Sequence, residues 1–192
     1  NTNLSWNGNV KHLVVKADDP GLNQTIIDCQ MLNNPAFIFN NSGQDTTDHI
    51  DGFTIINSNG ETDLNQSLVI QESVGGQIQA NNVGLKISNC SFIENDNGSA
   101  VRLKDGNYII KNSTFSDNYT DFDYVGSNYI FYGSALVITN SEMYLDSIVV
   151  HSNYMRIGST ISNSTLNGGA VTLSGSGQLK NSIVYDNTGV YT

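Results

Sequence analysis

One recurrence limits what this chain can fold into more than any other feature. Gly98-Ser99-Ala100-Val101, Gly133-Ser134-Ala135-Leu136 and Gly168-Gly169-Ala170-Val171 are near-copies, each 35 residues from the next (133 − 98 = 35; 168 − 133 = 35). Two weaker copies are read into the same slot, Pro35-Ala36-Phe37 and Gln66-Ser67-Leu68. After each copy the apolar residues alternate, as Phe37/Phe39, Leu68/Ile70, Val101/Leu103, Leu136/Ile138 and Val171/Leu173. Period two marks a strand with one buried face.

A second column follows. Ile26-Ile27-Asp28, Ile55-Ile56-Asn57, Ile87-Ser88-Asn89, Ile110-Lys111-Asn112, Leu145-Asp146-Ser147 and Leu179-Lys180-Asn181 share an aliphatic residue followed closely by Asn, Asp or Ser. Beyond it stands another apolar residue (Met31, Phe92, Phe115, Val150, Val184), and often an Asn three places on, at Asn95, Asn118, Asn153 and Asn187. Six copies in 192 residues give 192/6 = 32 residues per unit, and the shortest spacing is 112 − 89 = 23. A coil therefore closes in about two dozen residues, and the remainder is expected as loops. In the later coils this extra length falls after the Asn corner, near 119–132 and 154–166, which are read as loop insertions.

Runs of helix formers with 3.6 periodicity are missing, which argues against leucine-rich and ankyrin repeats. The reading is all-β: a single domain over 1–192, folded as a right-handed parallel β-helix solenoid of about six coils. Ile and Leu stack inside, repeated Asn form side-chain amide ladders, and small Gly-Ser-Ala residues turn the chain at another corner. Residues 1–9 are polar and are read as a cap or as a segment that pairs with a neighbour.

These motifs resemble the right-handed β-helix, pectin-lyase-like superfamily. More narrowly they are similar to the repeats of chlamydial polymorphic outer-membrane proteins, Gly-Gly-Ala-[Ile/Leu/Val] and Phe-x-x-Asn. Gly168-Gly169-Ala170-Val171 matches the first in full, and Phe92-Ile93-Glu94-Asn95 and Phe115-Ser116-Asp117-Asn118 match the second. The resemblance spans about residues 25–187 and implies surface display and adhesion.

Composition narrows the function classes. Only 14% of residues are charged, and net charge is −10. An acidic surface repels nucleic acid and anionic lipid, so neither is expected as a partner. No apolar run approaches the ~18–20 residues of a membrane span, so no membrane insertion is expected. An extracellular or cell-surface location is.

No catalytic constellation is expected. The basic residues Lys11, Lys16, Lys86, Arg102, Lys104, Lys111, Arg156 and Lys180 read as scattered. The acidic groups Asp18-Asp19, Asp45/Asp48/Asp51 and Asp117/Asp121/Asp123 do not align with an Arg across consecutive coils. The last group reads as solvated turn carboxylates rather than a Ca²⁺ site. His12, His49 and His151 lie far apart and lack zinc spacing, so no metal and no cofactor is expected. Cys29 and Cys90 are placed in one column with a coil between them, too far apart for a disulfide, and read as two unpaired buried thiols.

Nine Asn-x-Ser/Thr sequons occur. Asn89 and Asn112 are assigned to the ladder and expected to stay bare; Asn3, Asn23, Asn40, Asn65, Asn97, Asn118 and Asn163 are glycosylation candidates. The stretch 119–132 is dense in aromatics, and Tyr119, Phe122, Tyr124, Tyr129, Phe131 and Tyr132 are binding candidates, as a stacking platform for sugars or partners. A β-helix has open ends that present unpaired strand edges, so self-association by axial stacking is expected. The functional expectation is an extracellular structural or adhesive glycoprotein, a subunit of a fibre or coat assembled head-to-tail. The alternatives are a carbohydrate-binding module using the aromatic stretch, or a polysaccharide lyase or hydrolase using Asp121 or Asp123.

Overall fold

The computed structural model describes residues 4–6, 13–17, 25–30, 36–40, 45–58, 71–72, 78–96, 98–122, 129–157, 165–167 and 169–191. Their regular structure is entirely β-strand, and every strand pairing is parallel.

The strands stack in columns. The first column holds Leu4–Trp6, Phe37–Asn40, Ile78–Asn81 and Val101–Lys104, then the first halves of the long strands Leu136–Asp146 and Val171–Lys180. The second holds Val14–Lys16, His49–Asp51, Gly84–Ser88 and Asn107–Lys111, then the second halves of those long strands. The third holds Thr25–Asp28, Phe53–Ile56, Ser91–Ile93, Thr114–Ser116, Val149–His151 and Ile183–Tyr185. A fourth holds Tyr119–Phe122, Tyr154–Ile157 and Thr188–Tyr191; a fifth holds Gln71–Glu72, Tyr129–Tyr132 and Thr165–Asn167.

The chain is thus a parallel β-solenoid. The sequence predicts six coils; about three turns, from Val101 on, carry strands in all of the first four columns. Earlier passes are described through short strands. The segments 119–132 and 154–166 are not simple loop insertions, because both begin with fourth-column strands and contain fifth-column strands. Residues 123–128 and 158–164 lie outside the described residues. Within residues 1–9, read as a cap or a pairing segment, Leu4–Trp6 is a coil strand paired with residues 37–39.

Single left-handed residues bend the coil. Asn82, Asp105 and Asn140 stand between the first and second columns, all with φ near +50° (φ 54, 52 and 50). Gly52, Asn89, Asn112, Ser147 and Asn181 stand between the second and third. Asn57, Glu94, Asp117, Ser152 and Asp186 close the third. Asn and Asp tolerate this conformation because their short polar side chains bond locally, which is why such residues recur at the corners. This corrects the predicted register of the early coils. Asp51 pairs with Ser88, so Gly52 and not Asn57 occupies the slot of Asn89. Ile78 lies between Phe37 and Val101, so Ile78, which ends the sequence Gly75-Gly76-Gln77-Ile78, and not Leu68 takes the slot of the second copy.

The buried amide ladder also lies one corner later than expected. Asn89 and Asn112 are exposed, whereas Asn95, Asn118 and Asn153, six residues past the second corner, are buried. Asn118 Oδ1 accepts from the backbone N–H and the Nδ2 of Asn95, at 3.2 and 2.8 Å. Asn118 in turn donates to Asn153 Oδ1 from N and Nδ2, at 3.1 and 2.7 Å, and its Nδ2 also reaches Phe92 O on the coil behind. Asn153 repeats the pattern toward Asn187. Each amide therefore ties three coils together. The Phe-x-x-Asn motif now has a physical meaning. Its Phe points into the core, its third residue supplies the left-handed bend, and its Asn satisfies the buried backbone at the bend. Phe92 and Phe115 stack with centroids 4.9 Å apart and planes at 13°.

The Gly-Ser-Ala motif works by close approach rather than by turning freedom. A Cβ on Gly133 would stand 2.7 Å from the Ala170 carbonyl carbon, and Gly133 has no left-handed φ. The small residues let successive coils stack, with Ala100, Ala135 and Ala170 buried beneath one another.

Candidate functional site

The outward row of the second column is the richest in chemistry. In register it reads Lys16, Asp51, Ser88, Lys111, Asp146 and Lys180. Lys86 shares this face, one place over, beside His49. Four of the eight basic residues that look scattered in sequence thus gather on one sheet face. Only the cross-coil register reveals it.

At its upper part, Ser, His and Asp meet. Ser88 Oγ donates to Asp51 Oδ1 at 2.7 Å and lies 2.6 Å from His49 Nε2. Asn89 Nδ2 donates to the same carboxylate oxygen at 2.7 Å, and Lys16 Nζ stands 3.9 Å from Oδ2. The order is wrong for nucleophilic catalysis. An activated serine gives its proton to histidine, which the carboxylate orients from the far side. Here the hydroxyl gives its proton to the carboxylate directly, so the imidazole is placed to donate to the serine oxygen. Ser88 is also buried. The arrangement binds three coils together and leaves no poised nucleophile.

Burial, then the Lys86 charge, lowers the His49 pKa below its ordinary value. Burial alone would raise the Asp51 carboxyl, but hydrogen bonds from Ser88 and Asn89, aided by His49 and Lys16, outweigh it and hold the group low. The consequence for stability has a definite sign. The unfolded chain takes up the His49 proton first, so stability falls as pH drops below about 6.5 and levels off below the folded pKa. The Asp51 contribution is present above the usual carboxylate range and is lost as pH falls through it. Thermal unfolding at stepped pH should show both losses, and His49→Gln should abolish the one nearer neutrality while keeping the acid one.

Lower on the same face, Asp146 accepts from Asn181 Nδ2 at 2.9 Å, from Ser147 Oγ and from Tyr144 Oη. These bonds, the Asn181 one first, hold its pKa low. Lys111 and Lys180 place their ammonium groups 5.0 and 5.3 Å from the Tyr144 ring centroid. The ring and both cations are engaged with one another.

The acidic groups read from sequence are spent separately. Asp48 is buried and accepts from the backbone N–H groups of Leu13 and Asp45, tying two coils. Asp45 caps its own turn through Thr47. Asp117 is an exposed corner residue, Asp121 lies in a fourth-column strand, and Asp18, Asp19 and Asp123 lie outside the described residues. Among the described residues no three His, Cys, Asp or Glu gather as a metal site. His151 stacks on Tyr185, centroids 5.1 Å apart.

Cys29 and Cys90 are not joined in a disulfide, Cys90 being buried and Cys29 half-buried. They do not share a column: Cys90 lies beside Phe53, and Cys29 beside Asn57. Burial pushes both thiols up to about 11, which keeps them protonated at neutral pH.

Of the aromatic candidates, Tyr119 is half-buried and stacks on Tyr154 at 5.2 Å and 4°, so one ring face is covered by the next coil. Phe122, Tyr129, Phe131 and Tyr132 lie in fourth- and fifth-column strands, and Tyr124 lies outside the described residues. Of the glycosylation candidates, Asn40 ends a first-column strand, and Asn3, Asn23, Asn65, Asn97 and Asn163 lie outside the described residues. Asn118 is 0% exposed and sits in the amide ladder, where a sugar has no room. Its sequon signal belongs to the Phe-x-x-Asn repeat instead.

The last described coil leaves its lower face exposed. Leu173, Leu179 and Val184 occupy inward positions, yet they are 39%, 52% and 52% exposed, while their partners Ile138, Leu145 and Val150 one coil above are 0% exposed. No protein-family model, no curated protein and no solved structure matches the chain.

Proposed function

We propose that the protein is an extracellular structural or adhesive β-helix, a subunit of a fibre or coat that extends when a second copy stacks head-to-tail on the exposed lower face. The observation that carries this reading is the exposure of the three inward side chains Leu173, Leu179 and Val184. The matching edge is the first coil. In column register, Val15 would continue the row of Leu179 and Ile27 that of Val184. The lower edge runs through strands of 10, 3 and 4 residues. At about 3.3 Å per residue and about 10 Å across, that edge offers roughly 560 Å² per copy, or about 1,100 Å² in total, just above the ~1,000 Å² expected of a specific interface.

Kinship with the pectin-lyase-like β-helices and with the chlamydial outer-membrane repeats is part of the same proposal. It is supported by the placement of Phe92, Asn95, Phe115 and Asn118 as one repeating device. Carbohydrate binding through the aromatic stretch is less favoured, because Tyr119 spends a ring face on Tyr154. A lyase or hydrolase reading has the least support, because such chemistry needs paired free carboxylates, whereas Asp48, Asp51 and Asp146 are each committed to hydrogen bonds that tie the coils.

The joint places Lys180 of one copy in line with Lys16 of the next, the one like-charge step in that row. Stacking should therefore strengthen as salt screens the pair, between about 0.01 M and 1 M ionic strength. Electron microscopy and light scattering across that range should show filaments growing from single particles. Lys180→Glu should tighten stacking about tenfold at low salt, about 1.4 kcal/mol. Single particles at every salt and protein concentration would overturn the reading.

A further inference from the structure

Three sequon asparagines have described side chains, Asn89, Asn112 and Asn118, and their hydrogen bonds separate them. An amide that carries a sugar keeps one N–H and gives up the other. Asn118 is buried, and its Nδ2 donates to both Phe92 O and Asn153 Oδ1. Asn89 is exposed, but its Nδ2 donates to Asp51 Oδ1 at 2.7 Å and reaches Ser88 Oγ at 3.4 Å. A sugar there would disturb the carboxylate network. Asn112 is exposed at a left-handed corner, φ 48°, and its Nδ2 makes a single bond, to Asn89 Oδ1 at 3.2 Å. Its second amide hydrogen has no partner among the described residues.

We propose that Asn112, within Asn112-Ser113-Thr114, is a sugar-bearing residue of this protein. The inference rests on the extracellular reading, since transfer occurs on chains entering a secretory route. The donor is a lipid-diphosphate-linked oligosaccharide. Asn112 Nδ2 attacks the anomeric carbon, the N–C1 bond forms, the C1–O bond to the diphosphate breaks, the lipid diphosphate leaves, and the amide proton passes to the transferase base. The remaining N–H continues to donate to Asn89, so the corner keeps its contact. Neither flanking corner residue, Asn89 above nor Ser147 below, is buried, and the sugar projects from mid-stack, away from the exposed lower face. The fold acts as a selector: a chain modified on Asn112 folds, and one modified on Asn118 does not.

The test is expression of the full chain in cultured eukaryotic cells behind an added secretion leader, followed by glycopeptide mass spectrometry of the folded, secreted fraction. The expected result is sugar on the Asn112 peptide and none on the Asn118 peptide, with Asn112→Gln removing one glycan and moving the unfolding temperature of the enzymatically deglycosylated protein by no more than about 2–4 °C. A bare Asn112 peptide, or sugar on Asn118 in the folded fraction, overturns the proposal. Native material settles the premise separately: an Asn112 that accepts sugar in the host but is bare in the native protein overturns the extracellular reading.

Discussion

Asn118→Ala should lower stability by about 3–5 kcal/mol, because it strands two buried donors and one buried acceptor at about 1–3 kcal/mol for each group left unsatisfied. The donors are the backbone N–H and Nδ2 of Asn95, and the acceptor is Phe92 O, which loses its bond from Nδ2; Asn153 Oδ1 loses one of two donors and keeps the backbone N–H of residue 118. A loss of this size is a large share of the 5–15 kcal/mol typical of a folded domain. Asn118→Asp should fare no better. Its carboxylate would still accept from Asn95 but would face two oxygens without a hydrogen to offer them, and the loss should grow as pH rises and the carboxylate ionises. The control is Asn112→Ala at an exposed corner, expected within about 1 kcal/mol of wild type. Urea unfolding measures all three, and an Asn118→Ala midpoint matching the control would remove the ladder from the account of stability.

The second large effect is expected at Phe115. Its ring is 0% exposed and stacks on Phe92. Truncation to Ala should cost about 3–5 kcal/mol, from lost burial and the cavity left between coils. Phe115→Leu keeps most of the volume and should cost far less, apart from the ~0.5–1.5 kcal/mol of the aromatic pair. If both variants unfold alike, the rings are not packed as the structure has them.

The later coils were legible because their repeats are strict. Alternation at Val101/Leu103, Leu136/Ile138 and Val171/Leu173 identifies inward residues of the first column, and pairing follows that alignment for all three, although Leu173 lies on the exposed lower face. The early coils were misread because polar corner residues look alike. Asn57 and Asn89 are both left-handed Asn after an aliphatic run, yet they serve different corners. Gly75-Gly76-Gln77-Ile78 lies 98 − 75 = 23 residues before Gly98, the same short interval as Asn89 to Asn112, and that signal could have placed the third coil. The Asp51–Ser88–His49 cluster was hidden for the same reason. Its members are 37 and 39 residues apart, and only a correct early register brings them together. Asn112 is itself the left-handed residue and faces out, whereas Asn118 follows the left-handed Asp117 and faces in; spacing separates the two motifs but does not say which amide is buried.

The amide ladder has a direction. Asn95, Asn118 and Asn153 each donate from N and Nδ2 to the Oδ1 of the following coil. The row is therefore a one-way chain of dipoles along the axis, and its two extremities are chemically unlike. At one extremity Ser58 offers a backbone N–H to Asn95 Oδ1 in place of a full amide, so the row starts weakly. At the other, Asn187 accepts from Asn153 on Oδ1, and its Nδ2 donates back to Val150 O and Tyr185 O. A partner suited to one extremity would therefore not fit the other. Growth and arrest of such a stack are thus separate chemical problems, each addressable by a different plug.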